Sequence, residues 1–179
     1  TVIDGRAGFD TVTFGGGDDA ILLHDTASDF HASLKLRPDS QSAESMARIS
    51  GVEELRLGGG GDILDLTSTD YDLSGRSMKI LAGSGDDIVW GSAANEVVFG
   101  AAGDDTIAGG AGRDRLHGGD GADTFQFTAT SRTAAIRDFD PTEGDRIEVF
   151  GTGGADLSRV SATFRSGEMR VSFHDGGTG

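Results

Sequence analysis

The chain has 179 residues and no cysteine, which excludes disulfides and thiolate metal sites. Its 15 basic and 30 acidic residues leave a formal charge of −15, which argues against nucleic acid or an anionic membrane as the main partner and for a cation. Thirty glycines against two prolines suggest ordered turns that need positive φ, and a hydrophobic content of 36% predicts a thin, repetitive core. No apolar run approaches the length of a membrane span, and the first residues do not read as a signal peptide. The abrupt ends, TVIDG and HDGGTG, read as those of a piece of a longer protein.

In chain order, two nine-residue units come first, GRAGFDTVT at 5–13 and FGGGDDAIL at 14–22. Their sixth places are Asp10 and Asp19 and their eighth are Val12 and Ile21. Residues 23–56 break the pattern. HASLKL alternates like a strand, Pro38 and the serines after it predict a loop, Glu44 to Ile49 a short helical turn, and GVEELRL a strand. The unit returns as LGGGGDILD at 57–65, with Asp62 and Leu64. From 66 to 81 the aspartate is lost but an apolar beat persists at Leu73 and Ile80, which predicts coils without metal sites.

Residues 82–126 are five units in phase. Their sixth places are Asp87, Glu96, Asp105, Asp114 and Asp123; their eighth are Val89, Val98, Ile107, Leu116 and Phe125. Beyond them AAIRDFD, DRIEVF, SATFRS and MRVSFHD alternate like antiparallel strands, with turns at Pro141–Gly144 and Ser166–Gly167. The organisation expected is therefore 1–56 with solenoid turns and an inserted segment, 57–126 as a continuous coil strongest over 82–126, and 127–179 as a C-terminal β cap.

Glycines at fixed offsets let a turn take left-handed φ and aim its carbonyls inward, and the sixth-place aspartate adds a carboxylate. The last three residues make a short strand whose middle side chain points into the core. Two units, 18 residues, make one coil, so units two apart stack and their oxygens converge. An all-oxygen cage suits a hard cation, Ca²⁺ above all. The nine-residue unit resembles the Ca²⁺-binding repeat of parallel β-helices.

Asp87, Asp105 and Asp123 fall on one side and predict two sites, 87/105 and 105/123, framed by glycine turns at Gly83 and Gly85, Gly100 and Gly103, and Gly118 and Gly121. The other side offers Glu96 and Asp114. Its first turn, SAAN, lacks three glycines, with Ala94 a poor and Asn95 a tolerable left-handed residue, so a weak or absent site is expected there. Asp10, Asp19 and Asp62 match the unit but have no evident partner two units away. Metal ligation and local turn hydrogen bonding stand level for them. Asp138, Asp140, Glu143 and Asp145 fail EF-hand spacing and read as a solvated turn. Asp86 and Asp104 should face outward.

His24, His31, His117 and His174 are scattered, AGSGDD is not a nucleophile elbow, and no acid–base set converges, so no enzyme is expected. Seventh and ninth places should face out, yet Ile88, Trp90, Val97 and Phe99 occupy them. Cover from 23–56 or from the C-terminal strands is expected.

The G-G-x-G-x-D units resemble the RTX (hemolysin-type calcium-binding) family, strongly over 82–126 and well over 5–22 and 57–65. IRDFDPTEGDRIEVFG is similar to the segment that follows the β-roll in serralysin-type proteases and alginate-epimerase R-modules. The resemblance implies an all-β, right-handed parallel β-roll, here with a C-terminal antiparallel cap. It also implies calcium as cofactor, a secreted parent protein using a type I pathway, and folding on extracellular calcium. It leaves Asp138 as a candidate cap ligand. The partners expected are calcium and other domains of the parent. A rival reading is an extracellular module binding polysaccharide or a cell-surface ligand through Arg132, Arg137, Arg146 or Arg165, side chains expected instead to pair with nearby carboxylates.

Overall fold

The structure, a computed structural model, describes residues 2–4, 9–22, 32–34, 47–50, 52–67, 75–128, 131–150, 160–165 and 167–173. All regular structure among them is strand. The elements are β1 (Val2–Asp4), β2 (Thr11–Thr13), β3 (Ala20–Leu22), β4 (Ala32–Leu34), β5 (Ala47–Ser50), β6 (Glu54–Gly59), β7 (Ile63–Asp65), β8 (Ser77–Ser84) and β9 (Ile88–Trp90). They continue as β10 (Asn95–Ala102), β11 (Thr106–Ala108), β12 (Arg113–Asp120), β13 (Thr124–Thr128), β14 (Thr133–Ile136), β15 (Arg146–Phe150), β16 (Val160–Arg165) and β17 (Glu168–Phe173).

The chain winds as a parallel β-roll. One sheet has the order β16-β17-β14-β12-β10-β8-β6-β2 and the other β15-β13-β11-β9-β7-β3, so the strands of each coil alternate between sheets. A third, small sheet has the order β1-β5-β4. The 18-residue coil expected from two nine-residue units is the register of β8, β10 and β12, where Asn95 lies beside Ser77 and Val97 beside Arg115.

Between the sheets runs one narrow core. The first sheet contributes the in-register row Val12, Leu55, Ile80, Val98, Leu116 and Ile136, all buried. The second contributes Leu64, Val89, Ile107 and Phe125, fully buried, followed by half-buried Ile147. These include the eighth-place residues of the sequence. Period-2 alternation turns one side chain of each short strand inward and its neighbours out.

Several expectations are corrected. Ala47–Ser50 is a strand, β5, not part of a helical turn; residues 44–46, like Pro38 and Leu73, lie outside the described residues. The segments AAIRDFD and DRIEVF do not begin an antiparallel cap. Their strands β14 and β15 pair parallel to β12 and β13 and continue the roll. Of the C-terminal strands described, β17 pairs antiparallel with β14 and β16 with β17 at the end of the first sheet; the small sheet also holds an antiparallel pair, β4 and β5. The four outward apolar residues do not form one patch. Ile88 and Trp90 lie on the outer face of one sheet and Val97 and Phe99 on that of the other, each half-buried. Phe99 is stacked on His117 at 4.5 Å, with the Lys79 ammonium 5.9 Å from its ring centroid.

The turns explain where glycine is required. The fourth-place residues Gly60, Gly85, Gly103 and Gly121 all have left-handed φ, and each lies against the preceding coil. A Cβ on Gly103 would stand 2.2 Å from the Gly85 carbonyl oxygen. The second-place row is also left-handed at Gly58, Gly83 and Gly119, but the chain puts Ala101 there, with φ 90°. Alanine in that region costs roughly 1–2 kcal/mol. Ala101→Gly should therefore stabilise the folded chain by about 1 kcal/mol in urea denaturation. Gly103→Ala, strained and clashing with backbone at once, should destabilise it by about 3 kcal/mol or more. Equal effects of the two substitutions would contradict this account of the turn.

Candidate metal centre

The sixth-place aspartates form a continuous column along one edge of the roll. The Asp19 N–H donates to Asp62 Oδ1 (2.7 Å), Asp62 N–H to Asp87 Oδ1 (2.7 Å) and Asp87 N–H to Asp105 Oδ1 (2.8 Å). Asp105 N–H donates to Asp123 Oδ1 and Asp123 N–H to Asp145 Oδ1, both at 3.0 Å. Each carboxylate thus spends one oxygen on the main chain of the coil before it. The other oxygen, Oδ2 of Asp62, Asp87, Asp105 and Asp123, is buried and has no hydrogen-bond partner. Buried carboxylate oxygens without a partner are costly, and a cation is the natural counterpart.

The column brings together Asp87, Asp105 and Asp123 as the spacing predicts, and it joins residues that the spacing left apart. Asp19 and Asp62 do have partner coils, offset by 43 and 25 residues because extra chain is inserted between coils. Asp145, read from sequence as part of a solvated turn, is buried and ends the column. Its Oδ2 accepts the Asp140 N–H at 2.8 Å, so this last carboxylate is satisfied by protein alone. The signal was present in D-R-I at 145–147, the same aspartate-x-apolar pattern as at Asp19, Asp62, Asp87, Asp105 and Asp123.

Glycine makes room for the free oxygens. A Cβ on Gly100 would stand 2.1 Å from Asp105 Oδ2 and 2.5 Å from the Gly118 carbonyl oxygen; one on Gly118 would stand 2.0 Å from Asp123 Oδ2. No three acidic or histidine side chains converge among the described residues. Any cage here must combine one or two carboxylates with main-chain carbonyls, a donor set made wholly of hard oxygens that fits Ca²⁺.

The opposite edge is different. Glu96 N–H donates to Asp114 Oδ1 at 3.0 Å, and Glu96 Oε1 accepts the Ser92 N–H at 3.0 Å together with the Ser92 hydroxyl. Ser92, not singled out in the sequence, therefore clasps Glu96 within its own turn, and Glu96 Oε2 remains buried and unpartnered. The SAAN turn does this without left-handed φ at Ala94 or Asn95. Met78, in register with Glu96, interrupts this column. Beyond it the Asp10 N–H donates to Glu53 Oε2 at 2.9 Å, and Asp10 Oδ2 is again buried without a partner.

Other expected residues have ordinary roles. Asp86 and Asp104 are exposed, and their Oδ1 atoms accept N–H groups of the next coil at Asp104 and Ala122. Asp138 accepts the Gly118 N–H at 3.1 Å and stands 3.8 Å from His117. Burial lowers the His117 pKa, as suits its packing against Phe99. His24, His31 and His174 lie outside the described residues. Of the candidate ligand-binding arginines, Arg137 pairs with Glu168 and Arg146 with Glu148. No helix among the described residues is long and apolar enough to cross a membrane.

Without a cation, burial raises the proton affinity of the inner carboxylates on both edges. It pushes Asp87 and Asp123 up to about 6, Asp105 to about 7 and Asp114 to about 8, and it raises Asp62 and Glu96 as well. The unfolded chain titrates near about 4, so the metal-free fold holds more protons than the unfolded chain between those values. Its stability is fully present below about pH 4 and is lost as pH rises towards 8. Calcium needs the same oxygens deprotonated, so its affinity should rise over that range. In EDTA, melting followed by circular dichroism should show a more stable roll at pH 5 than at pH 8. Metal-free stability that increases with pH would contradict the burial of these carboxylates.

Residues 79–107 and 99–126 match the family model of the RTX calcium-binding nonapeptide repeat, four copies. A search of curated proteins found no match to the chain. The match covers the part of the roll that holds Asp87, Asp105 and Asp123 of the column, and over 79–126 the chain carries repeats of the RTX calcium-binding nonapeptide type.

Proposed function

We propose that this chain is a non-catalytic calcium-dependent folding module of a larger, type I-secreted protein. In this reading the ions lie along the aspartate column, held by Asp87, Asp105 and Asp123 with the turns at Gly83, Gly85, Gly100, Gly103, Gly118 and Gly121, and further by Asp62 and Asp19. On the opposite edge Asp114 and Glu96 supply a second location.

One observation carries the reading: a file of buried carboxylate oxygens, each without a partner, inside a roll whose narrow core takes one main row of side chains from each sheet. Like charges stacked coil upon coil repel, and a core this thin offsets little of the ordering entropy. Calcium removes the repulsion and links neighbouring coils, so binding and folding become one event. Extracellular modules bind Ca²⁺ at roughly 10⁻⁴–10⁻³ M, far above cytosolic levels. The chain stays loose inside the cell, suited to passage through a secretion channel, and folds outside, where it stabilises its parent.

Calcium titrated into the EDTA-stripped chain should induce the β-sheet circular dichroism signal, with two or more ions bound per chain. Asp105→Asn keeps the acceptor for the Asp87 N–H but loses the charge. It should weaken calcium binding about tenfold or more, about 1.4 kcal/mol. A full β-sheet signal in EDTA at neutral pH, unchanged by calcium, would refute the folding switch.

A further inference from the structure

Gly100 and Gly118 open the units that end in the core at Ile107 and Phe125. Neither has left-handed φ, so what requires glycine there is space. A Cβ at either place would fall on the free oxygen of Asp105 or Asp123, at 2.1 and 2.0 Å. Each glycine is a niche that seats the carboxylate oxygen no hydrogen bond satisfies.

The sheet register places these glycines in a row with three other residues. Phe14 aligns with Leu57, Leu57 with Ala82, Ala82 with Gly100 and Gly100 with Gly118. Side-chain size falls stepwise from Phe14 to Gly118, beyond which the row passes to Asp138. Leu57 and Ala82 are fully buried, so their methyl groups lie inside the roll. Asp62 and Asp87 follow them in their units as Asp105 and Asp123 follow Gly100 and Gly118. Their Oδ2 atoms are equally buried and unpartnered, but these units carry a Cβ at the place in the row where the later units have glycine. Ca²⁺ gathers six to eight oxygens at about 2.3–2.6 Å, and an aliphatic group beside the carboxylate takes room from them.

We propose that the first residue of each unit grades calcium affinity along the column. Binding is tight at Asp105 and Asp123, where Gly100 and Gly118 leave the niche open, and weaker at Asp62 and Asp87, where Leu57 and Ala82 fill it. Ala82 is thus a specificity-determining residue that touches no ion. The inference rests on the reading above that the column carboxylates hold the ions. It adds a direction, with calcium ordering the C-terminal coils first and the N-terminal coils at higher concentration.

The test is calorimetric titration of calcium into the full chain and into two variants. The wild type should show a tight and a weak class of sites. Ala82→Gly should tighten the weak class about tenfold, equivalent to about 1.4 kcal/mol. A merely structural alanine predicts the opposite sign, since a glycine inside a strand weakens it. Asp62→Asn, which keeps the acceptor for the Asp19 N–H, should remove or weaken only the weak class. The proposal is overturned if Ala82→Gly leaves the isotherm unchanged or weakens it, or if Asp62→Asn abolishes the tight class. Absence of calcium binding by the wild type would overturn the underlying reading as well, which separates the two failures.

Discussion

The structure depends on a hydrogen bond repeated from coil to coil, from an aspartate N–H to the carboxylate of the aspartate one coil on. It fixes the orientation of every carboxylate and aligns the coils. It also commits only one oxygen of each pair, leaving the other buried and unsatisfied. A neutral side chain making the same bond would give a scaffold. A carboxylate makes a scaffold whose formation is tied to whatever compensates its charge. The carboxylates that align the coils are therefore the same groups that offer a free oxygen to a cation.

The two edges of the roll divide the work. Every large insertion enters between a strand of the second sheet and the next strand of the first. Register steps of 43 and 25 residues appear in both sheets together, so the extra chain leaves and returns at one edge. The aspartate column occupies the other edge, where the turns keep their length from Asp19 to Asp123. This is why the column survives insertions that break the sequence period. On the insertion edge the carboxylate row is interrupted by Met78, and the Ser92 clasp on Glu96 holds a turn that lacks the usual glycines. Outside the column, Asp86 and Asp104 accept N–H groups from the coil after them, the reverse of the inner direction, so adjacent turns are tied from both sides.

Much of this was legible because the repeat writes its physics at fixed places. Asp87, Asp105 and Asp123 could be stacked from spacing alone, as could the core row from Val89 to Phe125. What stayed hidden depended on register across insertions. No count of nines connects Asp62 to Asp87 at 25 residues, because none of the aspartates between them falls at a sixth place in phase with either. Asp145 was hidden for a related reason: two extra residues enter on each side of β14, and alternation in AAI and RIEVF does not distinguish a parallel from an antiparallel neighbour. The second-place requirement for left-handed φ was obscured by Ala101, a residue that satisfies the turn only with strain.

The two ends of the column are not equivalent, and this gives the roll a direction. At the C-terminal end Asp145 receives N–H groups on both oxygens, from Asp123 and Asp140, and β17 and β16 cover the open edge of the first sheet with antiparallel pairing. That end is complete without metal. β16 is then the last strand of the first sheet, as β15 is of the second. From Asp145 back to Asp62 each coil presents the carboxylate that the preceding coil's N–H requires, so the hydrogen bonds run unbroken from the protein-satisfied end to Asp19. The register steps of 43 and 25 residues fall on the other side of the core and leave this series intact.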